Sequence, residues 1–219
     1  MSASVVVERD PQSAPPPGTR LVVAVGSNAA PSVLRRKLGH LDPADVLHLT
    51  RVRVANITVG HSAHVAARGY VPAAPVRTGH GTLETVAAWL SPPQTEALDL
   101  TEPNYDRRTV NTHDHPLIFL GDPRLPADAP ATPDAFDIYV SRHGVLADPA
   151  TRAPLPFGSQ AGVFGWLQRH LDDPALHGAA AEVCARLATG DHAARVTGLI
   201  NDARLSRSAR PVDAQGVVA

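Results

Sequence analysis

Residues that cross-link a chain or bind zinc through sulfur are scarce in this sequence. Cys184 is the only cysteine, which excludes an internal disulfide and a zinc site built from cysteines. Aromatic residues make up only 4% of the chain, so the 43% of hydrophobic residues predicts a mainly aliphatic core. Lys37 is the only lysine, and every other basic residue is an arginine.

An excess of charge of either sign is also absent. The chain carries 20 basic and 21 acidic residues, a net charge of −1, which offers no broad field to a polyanion. We therefore expect no nucleic-acid partner. No stretch approaches the roughly 20 apolar residues of a membrane helix, and no basic segment followed by an apolar run comes after Met1. We expect a cytoplasmic protein with no membrane partner, and its oligomeric state stays open.

The domain organisation follows from length and composition. The 219 residues suffice for one generous domain with appendages. Residues 1–19, which end in a proline-rich stretch, predict a flexible N-terminal arm. Residues 20–171 are predicted to form the main domain, residues 172–206 a helical appendage, and residues 207–219 a flexible tail.

The main domain is predicted to open with a strand, a glycine turn and a helix. Leu21–Val25 is a continuous apolar run of mostly β-branched residues, which is typical of a strand buried on both faces. Gly26-Ser27-Asn28 then turns the chain, and Pro31 suits the first turn of a helix. That helix shows one apolar face, made of Leu34, Leu38 and Leu41.

Short strands follow, and helices end the chain. In Val52–Val59 apolar and polar residues alternate, and the alternation changes phase at Ala55-Asn56, which predicts a bulge or bend. Ser91-Pro92-Pro93-Gln94 has the pattern of a capping box at the start of a short helix. Helices are expected from Ser159 and over 176–189 and 192–205. Further strands are predicted at Val52–Val59, Tyr70–Val76, Leu83–Leu90, Arg107–Val110, Pro116–Leu120 and Phe136–Ser141. This pattern predicts an α+β fold with a small closed or half-closed sheet.

Two segments could carry chemistry. Backbone N–H groups in the turn Gly26-Ser27-Asn28 would suit a carboxylate or phosphate, although a tight turn with a capping side chain explains the same residues. Glu102 follows Asp99 at the end of a predicted helix, where the macrodipole disfavours an acid. If buried, its pKa would rise toward that of a general acid–base group. An exposed carboxylate at a helix end is the simpler interpretation.

The histidines form two local pairs, His61 with His64 and His113 with His115. Together they could form a metal site, but neither spacing matches a known local ligand pattern. On a strand, the second pair would share a face and the first would not. We therefore expect no bound metal. Ser159 is interpreted as a helix cap rather than a nucleophile, because no Gly-x-Ser-x-Gly elbow surrounds it.

Two of these segments resemble motifs of the γ-glutamylcyclotransferase family. Val25-Gly26-Ser27-Asn28 resembles the family's Tyr-Gly-Ser-Asn loop, which also follows the first strand. Leu98-Asp99-x-x-Glu102 resembles the Leu-Asp-x-x-Glu that carries the family's catalytic glutamate. Tyr105 with Arg107-Arg108 is similar to the stretch that comes after it. The motifs stand in the family's order, and the resemblance covers roughly residues 20–171.

The resemblance implies a small mixed β-barrel with flanking helices, followed here by C-terminal helices. It also implies a lyase-type, cofactor-free and metal-free enzyme that cyclises a γ-glutamyl amide to 5-oxoproline and releases an amine or amino acid. By the same resemblance Glu102 would be catalytic. The small-molecule γ-glutamyl substrate would be bound by Val25, Gly26, Ser27, Asn28 and Tyr105.

Two departures from the family pattern leave alternatives open. Val25 stands where the family has tyrosine, and Pro103 stands where a glycine follows the glutamate. A catalytically silent small-molecule binder on the same scaffold is therefore the second hypothesis. A histidine-based metal hydrolase is the third.

Overall fold

The structure, a computed structural model, describes residues 6–8, 15–41, 46–120 and 132–208. Strands and helices are mixed along the chain, which confirms the predicted α+β class. The described residues group into two compact units. The first contains those up to Thr58 and those of Arg77–Val140, and the second contains Val59–Val76 and those from Ser141 on.

Seven strands form the main sheet, and their order differs from their order in the chain. The sheet runs β1-β3-β4-β2-β7-β5, with β6 paired to β3. Strand β2 is antiparallel to β4 and parallel to β7, where Val22 lies opposite Asp137. The strands are β1 (Val6–Glu8), β2 (Arg20–Val23), β3 (Leu47–His61), β4 (Ala73–Leu90), β5 (Tyr105–Asn111), β6 (Leu117–Phe119) and β7 (Ala135–Ser141).

The predicted closure of the sheet into a barrel is not confirmed. Strands β1 and β5 stand at the two ends of the strand order, and within the described ranges no pairing joins them. Closure was expected both from the succession of short strands and from the resemblance. Alternating hydrophobicity identifies strands, however, and does not determine which strands pair at the edges.

Two helices of the first unit pack on one core. Helix α1 (Pro31–Leu38) contributes Leu34 and Leu38, and α2 (Pro92–Leu100) contributes Ala97 and Leu98. The same core contains residues of β2, β3, β4 and β7: Val22, Leu47, Leu49, Ala88, Leu90 and Tyr139. Burial of these side chains fixes α1 and α2 beside β2 and β7. The candidate site lies at these two helices and at the turn that follows β2.

The second unit has its own helical core. Helices α3 (Gln160–His170), α4 (Ala180–Leu187) and α5 (His192–Asp202) bury a shared apolar cluster that includes Phe164, Leu167, Val183 and Ile200. A two-stranded sheet pairs β8 (Val145–Leu146) with β9 (Ser206–Arg207).

The boundary predicted at residue 171, between the main domain and the helical appendage, falls inside the second unit. That boundary stays a prediction. Of the predicted arm, residues 1–5 and 9–14 lie outside the described residues, while Val6–Glu8 pairs in parallel with β3. Of the predicted tail, residues 209–219 lie outside them too. Throughout the described part of the chain, every helix is too short or too polar to cross a membrane.

Candidate functional site

The turn after β2 forms one side of the candidate site. Gly26, with φ −153° and ψ −132°, leads into a short 3₁₀ turn at Ser27–Ala29. A bond from the Ala29 N–H to the Gly26 carbonyl at 2.9 Å closes the turn. Pro31 then begins α1, as its fixed φ favours. Gly26 and Ser27 are exposed, whereas Val25 and Asn28 are half-buried. Asn28 is therefore the residue of the turn whose side chain reaches inward.

The end of α2 forms the other side. The predicted capping box is present, because Ser91 Oγ accepts from the Gln94 N–H and Gln94 Oε1 accepts from the Ser91 N–H at 2.9 Å. The helix ends at Leu100, so Glu102 lies just beyond it rather than on its last turn. Bonds from the Glu102 N–H to Asp99 and from the Tyr105 N–H to Glu102, each 3.0 Å, hold the connection to β5.

Three side chains meet between these segments. Asn28 Nδ2 donates to Glu102 Oε1 at 2.9 Å. The ammonium of Lys37, on α1, donates to the same carboxylate oxygen and also to Asn28 Oδ1 at 2.9 Å. The three groups therefore form a closed hydrogen-bonded triangle, in which Glu102 Oε1 accepts from both other members.

The triangle is partly shielded from water. The side chains of Lys37 and Glu102 are 16% and 14% exposed, which makes their attraction stronger than that of a surface pair. The remaining exposure leaves the carboxylate within reach of a small molecule. Such a group can accept a proton from a bound amine and return it to a leaving group.

A second polar network stands beside the triangle. Arg107, on β5, donates hydrogen bonds to both carboxylate oxygens of Asp99, from Nε to Oδ1 at 3.0 Å and from Nη2 to Oδ2 at 3.1 Å. The Tyr139 hydroxyl, on β7, donates to Asp99 Oδ1 at 2.6 Å. Burial disfavours the charged form of Asp99, but the bonds from Arg107 and Tyr139 outweigh it and lower the pKa of this carboxyl. Asp99 is thus held as an ionised structural partner.

Asp137 joins three neighbouring strands. Its carboxylate, on β7, is fully buried and accepts from Arg20 of β2 at 2.8 Å and from Arg107 and Thr109 of β5 at 2.8 and 2.7 Å. Burial opposes ionisation, yet the hydrogen bonds of Arg20, Thr109 and Arg107 together lower the pKa of Asp137. Arg107 links the two carboxylates and thereby ties the end of α2 to the sheet.

The structure brings only some of the predicted site residues together. Asn28 and Glu102 are in direct contact. Gly26 and Ser27 belong to the same turn, with exposed positions, and Val25 precedes it. Tyr105 is half-buried and is bonded through its backbone to Glu102. The roles of these residues toward a substrate stay predictions.

Sequence reasoning missed Lys37, Asp137 and Tyr139. Lys37 did carry a local signal, because it falls between Leu34 and Leu38 on the inward face of α1 and is the only lysine of the chain. Asp137 and Tyr139 alternate along a predicted strand with apolar neighbours. The partners of Asp137 come from β2 and β5 and the partner of Tyr139 comes from α2, so no local spacing reveals these contacts.

The two histidine pairs belong to different units. His113 and His115 lie in the connection between β5 and β6, not on a strand, and only His115 is buried. His61 and His64 lie in the second unit, where His64 Nδ1 is 2.6 Å from Ser62 Oγ and its ring stacks on His143. Among the residues that the structure describes, no group of three or more His, Cys, Asp or Glu side chains could hold a metal ion.

The comparisons with known proteins give distant structural similarities. No family model matches the chain, and no curated protein matches it significantly. Solved structures that are similar include the solution structure of At5g39720.1 from Arabidopsis thaliana, 17% identical with a TM-score of 0.41, covering 69% of this chain and 84% of that one.

Two others are described as cyclotransferases. A γ-glutamyl cyclotransferase is 14% identical with a TM-score of 0.38, covering 57% of this chain and 68% of that one. The yeast γ-glutamyl cyclotransferase specific to glutathione is 10% identical with a TM-score of 0.38, covering 82% of this chain and 99% of that one. At these values the likeness carries no information about the activity of this chain.

Proposed function

We propose that the protein is a γ-glutamyl cyclotransferase-like enzyme, which converts a γ-glutamyl amide to 5-oxoproline and releases the amine. The observation that carries this proposal is the 2.9 Å hydrogen bond from Asn28 of the glycine turn to Glu102. It joins the two sequence motifs whose resemblance implies this chemistry, although they are 74 positions apart in the chain.

The reaction needs one proton carrier and a substrate held in a folded conformation. The substrate's α-ammonium gives a proton to the Glu102 carboxylate, and the resulting amine attacks the γ-carbonyl. A new C–N bond closes the five-membered ring, and the original amide C–N bond breaks as Glu102 returns the proton to the leaving nitrogen. The ring nitrogen then gives up its second proton through the same carboxylate, and the amine is released as an ammonium. No water is consumed. Well-oriented intramolecular attack can supply about 7–11 kcal/mol of the barrier, so positioning is the main task.

The other residues of the site would position the reacting groups. Asn28 fixes the orientation of the Glu102 carboxylate through its side-chain amide. Gly26 and Ser27 are exposed residues of the same turn. Their backbone N–H groups would stabilise the oxyanion that develops on the γ-carbonyl. Tyr105, the first residue of β5, donates its backbone N–H to the Glu102 carbonyl, and its side chain would contact the body of the substrate.

A panel of γ-glutamyl dipeptides and γ-glutamyl amines tests this proposal. The purified protein is incubated with each compound, and 5-oxoproline and the released amine are measured together. Equal amounts of both products from at least one compound support the proposal. If no compound reacts, the enzymatic proposal is wrong.

A catalytically silent binder is the second candidate function. Val25 supplies no hydroxyl at the start of the turn, and the exposed Pro103 restricts the backbone directly after Glu102. Calorimetric binding of a γ-glutamyl compound without any product would favour this candidate over the enzyme.

A further inference from the structure

The Lys37 ammonium is bonded to the carboxylate that, under the proposed function, takes the proton of the substrate amine. Its bonds to Glu102 Oε1 and Asn28 Oδ1 use two of its three N–H groups. An α-ammonium that gives its proton to Glu102 has to approach the same carboxylate. Substrate binding therefore has to weaken or replace the contact between Lys37 and Glu102.

The charges around the site are balanced without a ligand. Lys37 and Glu102 carry one positive and one negative charge. In the adjoining network, Arg20 and Arg107 face Asp99 and Asp137. A ligand with only an ammonium would separate Lys37 from its carboxylate and leave that cation, which is 16% exposed, without a counter-charge. A ligand with both charges would restore the balance.

We propose that Lys37 binds the α-carboxylate of the substrate, and that the site selects a zwitterionic α-amino acid head. This proposal rests on the proposed function and deepens it. On binding, the ammonium of the head takes the contact with Glu102, and the carboxylate takes the contact with Lys37. Lys37 is then a specificity-determining residue, and Asn28 remains between the two exchanged ion pairs.

The test compares two compounds that differ only in the head group. One is a γ-glutamyl amide with its α-carboxylate, and the other is the same compound with an α-carboxamide. The kcat/KM for amine release is measured for the parent protein and for Lys37→Met, which keeps a long side chain and removes the charge. Lys37→Gln serves as a second neutral variant, and thermal melting establishes that each variant is folded.

We expect the parent protein to favour the carboxylate compound about 10- to 100-fold in kcat/KM, the range of one well-placed ion pair. Lys37→Met should lose most of this preference, with a large loss on the carboxylate compound and less than about a threefold loss on the carboxamide. Lys37→Arg should keep the preference, because it keeps the charge. Arg36→Met, an exposed residue of the same helix, is the matched control and should behave as the parent protein does.

Two results would overturn the proposal. One is a parent protein that uses both compounds equally well. The other is a Lys37→Met variant that loses the same factor on both, which would show that Lys37 acts only by orienting Glu102. If the parent protein turns over neither compound, the proposed function fails separately. The dissociation constants of the two compounds then decide: a carboxylate preference in binding that disappears in Lys37→Met supports the proposal, and its absence contradicts it.

Discussion

The Tyr139 hydroxyl donates a 2.6 Å hydrogen bond to Asp99, across the interval between strand β7 and the end of helix α2. Burial, and then this bond to an anion, raise the pKa of Tyr139 well above its usual range. The contact fixes the last turn of the helix from which the chain continues to Glu102. Arg107 forms an ion pair with the same carboxylate, so both β5 and β7 provide a partner for Asp99.

Tyr139→Phe should lower the free energy of unfolding by about 1–3 kcal/mol, because a bond to a charged acceptor is lost inside the protein. Urea unfolding at neutral pH measures the change. Tyr70→Phe is the control, since Tyr70 is 38% exposed, and it should change stability by less than about 0.5 kcal/mol. Equal effects of the two substitutions would contradict a stabilising role of the contact with Asp99.

Glu102→Gln should reduce kcat about 10²- to 10⁴-fold, because the amide cannot take the proton from the substrate ammonium. Substrate binding should weaken much less than turnover, since the amide has nearly the same size and shape although it does not pair with the substrate ammonium. The production of 5-oxoproline measures the effect. Glu96→Gln, an identical substitution at an exposed position of α2, should leave the rate unchanged. A fully active Glu102→Gln would show that another group carries the proton.

The buried His64 should make the protein less stable in mild acid. Burial, and then the neighbouring His143, lower the pKa of His64 to about 4. The unfolded chain, with a histidine pKa of about 6.5, takes up the proton first as the pH falls. Above about pH 6.5 the protonation of His64 therefore costs no stability. As the pH falls from there toward 4, it lowers the free energy of unfolding by up to about 3 kcal/mol.

Unfolding free energies measured from pH 7 to pH 4 check this expectation. His64→Gln should show a shallower fall than the parent protein over that interval, whereas the exposed His40→Gln should show the parental fall. Some slope should remain in His64→Gln, because burial also lowers the pKa values of His61, His115 and His143. An unchanged slope would assign the acid sensitivity to those other groups.

Gly69→Ala should be strongly destabilising, by at least about 2 kcal/mol. Gly69 has φ 79°, and a Cβ there would lie 1.9 Å from the Cys184 carbonyl oxygen, so helix α4 would have to move. Gly79→Ala is the matched control. Gly79 has φ 70° with nothing within 4 Å of the added carbon, so only the left-handed backbone cost of about 1–2 kcal/mol applies. Thermal or urea unfolding of the two variants gives the difference, and equal losses would contradict the steric explanation.

Local patterns predicted most elements of the fold. The first three residues of the apolar run Leu21–Val25 lie in strand β2, and the face of Leu34 and Leu38 is on α1. The irregularity expected near Ala55 is an Asn56 with φ 65°. One prediction divided a strand in two. Ala73–Leu90 is continuous, although Gly79 and Gly81 in its middle have the positive φ of a turn. Pairing with neighbouring strands overrides the local preference of the two glycines.

The candidate site was predictable only in part. The turn at Asn28 and the carboxylate of Glu102 carry recognisable local motifs, and the structure brings them into contact. Lys37 shows only its place on the inward face of α1, and Asp137 shows no local signal. Their partners lie 65 and up to 117 positions away. Contacts over these distances follow from strand order, which hydrophobic periodicity does not determine.

The parallel pairing of β2 with β7 also has a consequence for how the chain folds. Arg20 and Asp137 are separated by 117 positions, so β2 cannot pair with β7 until the segment around Asp137 has left the ribosome. Closing so long a loop is entropically expensive, and sheets rich in such contacts fold slowly. The ion network on Asp137 should therefore form late, after the local unit of β2, its turn and α1. In the nascent chain, Arg20 would therefore stay on the exposed edge of that unit until β7 brings the Asp137 carboxylate to it.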